Sequence, residues 1–63
     1  MDAQMKRLCQ YIRNTGQRPL EVADFDEDNS PVGAMLRERM VTAGLIKEDA
    51  GGLWLTAAGE ALL

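Results

Sequence analysis

Apolar positions recur at helical spacing over residues 2 to 14. Met5, Leu8, Cys9 and Ile12 fall in one stripe, Tyr11 lies at its edge, and Lys6, Arg7, Gln10 and Arg13 stand opposite. This predicts an amphipathic first helix, closed at Asn14-Thr15-Gly16 because glycine readily takes the left-handed backbone of a helix end. Residues 19 to 25 are barely two helical turns long. Pro19 suits a first helical turn and strict alternation fails at Asp24, so a short helix facing Leu20, Ala23 and Phe25 inward is favoured over a strand. Asp26-Glu27-Asp28-Asn29-Ser30 reads as a solvated turn. Ser30 before Pro31 then signals a third helix, with Ser30 as its N-cap. Over residues 31 to 43, Val32, Met35, Leu36, Met40 and Ala43 gather on one side, leaving Gly33, Ala34, Arg37, Glu38 and Val41 on the other, and Gly44 stops the helix. Residues 45 to 48 and 53 to 55 have strand character. The connection over residues 49 to 52, with two glycines to supply positive φ, makes them a hairpin. Thr56 can cap a last helix over residues 57 to 63. The pattern is mainly α with a small β-hairpin, in the order helix, helix, helix, hairpin, helix.

Length and composition narrow what such a chain can do. Its 63 residues fit one domain spanning 1–63, and 46% of them are apolar, eight being alanine, so the core is thin and self-association into a homodimer is compatible with it. There is no histidine, which removes imidazole general bases and most transition-metal sites. The single cysteine, Cys9, allows neither an internal disulfide nor a thiolate zinc site; it sits in the apolar stripe, where it packs, and a lone thiol suits a reducing cytoplasm. Asp24, Asp26 and Asp28 alternate as oxygen ligands for a divalent cation would, but their run lacks the glycine and terminal glutamate of a calcium loop. The expectation is a non-enzymatic binding module, without cofactor or metal. No signal-like or membrane-spanning stretch is legible, so a soluble, cytoplasmic protein without a membrane partner is expected.

Two short motifs carry a resemblance. Ala43-Gly44-Leu45-Ile46 and Leu55-Thr56-Ala57-Ala58-Gly59 resemble the second half of winged helix-turn-helix domains, in particular MarR-like and PadR-like bacterial regulators, over residues 31 to 63. The resemblance implies three helices, a two-stranded wing and a short C-terminal helix. It also implies that residues 31 to 43 are a recognition helix for double-stranded DNA in transcription regulation, acting as a dimer on half-sites one turn apart. In that reading Ser30 and the free amides beside it hold a phosphate, while Gly33 and Ala34 let the backbone approach closely. Arg37 reads guanine, Val41 meets a thymine methyl and Lys47 reaches the backbone from the wing.

Charge supports a different reading of the same shape. The net charge is −3, five acids lie between Glu21 and Asp28, and the wing tip from Glu48 to Gly52 carries acids where a DNA-touching wing carries arginine or lysine. Trp54 alternates with Leu53 and Leu55, so it faces outward if they face the core. The alternative is therefore a protein-interaction module that docks a protein partner, in the extreme by nucleic-acid mimicry, through Trp54, Val41 and the acidic turn; Tyr11, Leu62, Leu63 and Met1 extend the Trp54 side into a partner-binding patch that a homodimer would bury.

Overall fold

The computed structural model describes residues 3 to 63; Met1, assigned above to a partner-binding patch, lies outside them. The chain runs α1 (Ala3–Thr15), β1 (Leu20–Glu21), α2 (Val22–Asp28), α3 (Gly33–Thr42), β2 (Ile46–Asp49), β3 (Gly52–Leu55) and α4 (Ala57–Glu60). The result is a mainly helical domain with a small three-stranded antiparallel sheet, ordered β1-β3-β2.

The first helix follows its pattern: Met5, Leu8, Cys9 and Ile12 are its buried residues, and the chain leaves it at Gly16, whose φ is +69°. Cys9 is wholly enclosed; burial, then the nearby Glu60 charge, pushes its thiol pKa up and keeps it protonated. Leu20 from β1, Phe25 from α2, Leu36 and Met40 from α3, and Leu45, Ile46 and Leu53 around the hairpin complete the core. Each such side chain contributes roughly 1.5–3 kcal/mol by leaving water.

Three local expectations give way to long-range contacts. Residues 19 to 25 divide between a strand and a helix. Leu20 and Glu21 pair with Leu53 and Gly52, and the Val22 N–H donates to the Gly51 carbonyl at 2.9 Å, so the central strand decides their conformation. The acidic run is helical, since it belongs to α2, which Phe25 anchors and which closes where the Asn29 side chain donates to the Phe25 carbonyl at 2.8 Å. The third helix starts at Gly33, with Val32 at its N-cap and no side-chain cap; Ser30 instead belongs to the turn after α2, its N–H donating to the Glu27 carbonyl at 3.2 Å. The reason is a close crossing: a Cβ on Gly33 would lie 2.4 Å from the Asp26 carbonyl oxygen.

The buried line of α3 is correspondingly narrow. It consists of Gly33, Leu36 and Met40, leaving Val32, Met35 and Ala43 exposed although the wheel placed them inward. The helix ends as expected at Gly44, φ +75°, where Gly44 N–H donates to the Val41 carbonyl and Leu45 N–H to the Met40 carbonyl, a Schellman closure that also buries Leu45 against the core.

The hairpin is tighter than the two glycines imply. Ala50 and Gly51 supply the positive φ angles, 49° and 77°, of a two-residue turn, while Gly52 joins β3. A Cβ at Gly52 would come within 2.6 Å of the Pro19 ring, so the residue preceding β1 reserves that position for glycine. Leu53 is buried and Leu55 half-buried while Trp54 is exposed, the predicted alternation. Thr56 does cap α4, its Oγ accepting from Gly59 N–H at 3.1 Å, but the helix stops at Glu60 and the chain finishes in turns.

Candidate functional site

The two motifs of the sequence meet in space. Thr56 N–H donates to the Leu45 carbonyl at 3.0 Å, the Thr56 hydroxyl donates to the Gly44 carbonyl at 2.5 Å, and a Cβ on Gly59 would sit 2.2 Å from that same Leu45 oxygen. Gly44-Leu45 and Thr56-to-Gly59 therefore form one joint, which fixes the end of α3 against the base of the hairpin. The outward side of α3 is positioned by this joint and by the α2 crossing.

That outward side carries Ala34, Met35, Glu38, Arg39, Val41 and Thr42, all exposed, and a shallow depression runs across Met35, Glu38, Arg39, Thr42 and Ala43. Arg37 is not free on it. Its Nε and Nη2 donate to the two Asp26 carboxylate oxygens at 2.8 and 2.9 Å, its Nη1 donates to Glu48 at 2.7 Å, and its side chain is 15% exposed. The fork that would grip a guanine edge is filled by two carboxylates of the chain itself, one from α2 and one from β2. The hydrogen bond from Arg37, outweighing partial burial, holds the Asp26 carboxyl below its ordinary range, and Asp26 and Glu48 together raise the guanidinium pKa.

The other predicted nucleic-acid contacts divide. Ala34, Val41 and Lys47 are exposed, Lys47 lying across from Trp54 on the neighbouring strand. Gly33 is buried against α2 and cannot bring open backbone to a phosphate, and Ser30 caps no helix. Of the predicted partner residues, Trp54 and Leu63 are exposed, at 37% and 38%, and Leu62 packs on the core. Tyr11 is turned inward: its hydroxyl donates to Asp28 at 2.5 Å and its ring meets Phe25 edge-on at 6.0 Å. Burial first, then that bond, pushes the Tyr11 pKa up to about 12. The alternating aspartates do not converge on a cation: Asp26 serves Arg37 and Asp28 serves Tyr11, and no metal-ligating cluster forms among the described residues.

Asp26 and Glu48 are the residues that sequence reasoning missed. Each lies eleven positions from Arg37, one before and one after, a spacing with no helical or strand meaning, so only the fold announces the triad. A second feature also went unread, a groove beside Trp54 lined by Arg13, Gln17, Arg18, Leu55 and Glu60 among others.

Charge is divided between the two regions. From Glu21 to Asp49 there are three basic and eight acidic residues, net −5; the remainder has four basic and two acidic, net +2. Among the described residues no helix is long and apolar enough to cross a membrane. No protein-family model, curated protein or solved structure matches this chain.

Proposed function

We propose that this chain is a winged helix domain that uses α3 and its acidic flank to dock a basic segment of a protein partner. The winged helix reading is supported by the order of elements, by a sheet in which β1 joins the hairpin, and by the joint between Gly44-Leu45 and Thr56-Gly59. The observation that carries the docking reading is the sealed Arg37. With all three guanidinium nitrogens bonded to Asp26 and Glu48, α3 and β2 offer Arg39 and Lys47 as cations against Glu38 and Asp49, all exposed. Exposed acids a few ångströms from phosphate cost on the order of 1 kcal/mol each at surface dielectric, so a duplex gains little here. Met35 and Val41, each more than two-fifths exposed, flank Glu38 on the helix and add apolar surface for a protein contact.

The second reading is a DNA-binding regulator, favoured by the element order and by the exposure of Val41, Ala34 and Lys47. It requires phosphate to displace two carboxylates from Arg37. Anisotropy titrations at low salt separate the two. A labelled lysine-rich amphipathic peptide is expected to bind saturably and to weaken about tenfold with Glu38→Lys, while a random-sequence duplex gives no saturable signal. Duplex binding that is lost on Arg39→Ala or Lys47→Ala would overturn the docking reading in favour of DNA.

A further inference from the structure

The end of α1, the connection into β1, β3 and α4 enclose a groove of about 110 Å³. That is less than the roughly 150 Å³ cavity that accepts benzene, and it suits one aliphatic side chain. Ile12, Leu53 and Leu55 make its floor. Its rim is ionic and aromatic: Arg13, bonded to Glu60 at 2.6 Å, Arg18, and the exposed Trp54. Arg18 has no hydrogen-bond or ion-pair partner among the described residues.

The sheet leaves backbone available at the same place. Thr56 N–H bonds to the Leu45 carbonyl and Val22 N–H to the Gly51 carbonyl, and bonding alternates along antiparallel strands. By that parity Trp54 bonds toward β2, whereas Leu53 and Leu55 bond toward β1. Leu53 finds Leu20 there. β1 begins at Leu20, so no strand residue stands opposite Leu55.

We propose that this groove binds a short extended peptide of a partner protein in which an aliphatic residue stands next to an acidic one. The peptide backbone meets Leu55, and the aliphatic side chain enters the floor. Neighbours in an extended chain point to opposite faces, so the adjoining carboxylate is left at the rim for Arg18, beside Trp54. The charge fits: the groove is lined by Arg13 and Arg18 against one acid, Glu60, which Arg13 already holds. The proposal does not depend on the α3 reading, since the groove and that face share no residue.

Trp54 is the sole tryptophan and reports directly on occupancy. The test titrates the protein with a capped hexapeptide alternating leucine and glutamate. Saturable change in Trp54 emission is expected, with affinity about tenfold weaker for the leucine–lysine peptide, for the alanine–glutamate peptide and for the Arg18→Glu variant. Arg18 is exposed, so the variant keeps its fold, which far-UV circular dichroism checks. Glu38→Lys is expected to leave this binding unchanged, which separates failure here from failure of the α3 reading. An absent signal, equal binding of the lysine or alanine peptides, or indifference to Arg18→Glu would each overturn the proposal.

Discussion

Arg37 and Arg13 both sit within 3 Å of a carboxylate, yet they do different work. Arg37 lies in the negative region, 15% exposed, and ties α2, α3 and β2 together through three hydrogen bonds. Arg13 lies in the positive region, its side chain 48% exposed, and holds one oxygen of Glu60, itself 41% exposed. A bidentate, water-poor pair is a structural cross-link, whereas an exposed single contact is screened and readily exchanged. The difference teaches where binding is available. The arginine that sequence reasoning chose for recognition is spent on the fold, whereas Arg18, in the other region, has no ion-pair partner among the described residues.

The sharpest way to break the comparison is to separate the two regions. Phe25 stands between them, wholly buried on α2 and meeting Tyr11 of α1. Phe25→Ala is expected to cost about 3–5 kcal/mol, most of what a domain of this size holds, and to appear as a loss of cooperative unfolding in urea.

Arg37→Ala comes next. It strips two carboxylates of their partner and is expected to cost about 1–3 kcal/mol, read as a lowered urea midpoint. The same triad sets an acid dependence. The Asp26 pKa is lowered in the fold, so its contribution is complete above the ordinary carboxylate value of 3.8 and is lost as pH falls through the lower folded value. Stability should therefore drop in that acid window, and Asp26→Asn should flatten the drop. A variant that keeps the full acid dependence would show that the triad does not couple α2 to α3.

Arg13→Ala sharpens the comparison from the other side. Its exposed pair predicts a change of about 0–1 kcal/mol, smaller again in high salt. A loss equal to that of Arg37→Ala would erase the distinction between the two arginines.

Much of the architecture was legible because it is local. The stripe of α1, the closures at Gly16 and Gly44, the Thr56 cap and the alternation of Leu53, Trp54 and Leu55 each depend on residues a few positions apart, and each stands in the structure. What failed was local inference applied to positions governed from afar. Leu20 and Glu21 are extended because β3 has an edge to fill, and the acidic run is helical because Phe25 is buried. Ser30 loses its capping role because Gly33 must cross the α2 backbone. The candidate contacts suffered most, since a helical wheel gives the direction of Arg37 but not the presence of Asp26 and Glu48 eleven residues away on either side.

The amino-acid order by itself determined a mainly helical pattern with a hairpin before its last helix, built without histidine and with half of its acids crowded between Glu21 and Asp28. Periodicity and capping act over one or two turns, so a single chain displays them openly. Tertiary structure decided which charges remain for a partner, because ion pairing depends on distances between elements that no spacing along the chain encodes. It enclosed Arg37, left Arg18 at the mouth of a groove, and ended the pairing of β1 at Leu53, two positions short of Leu55.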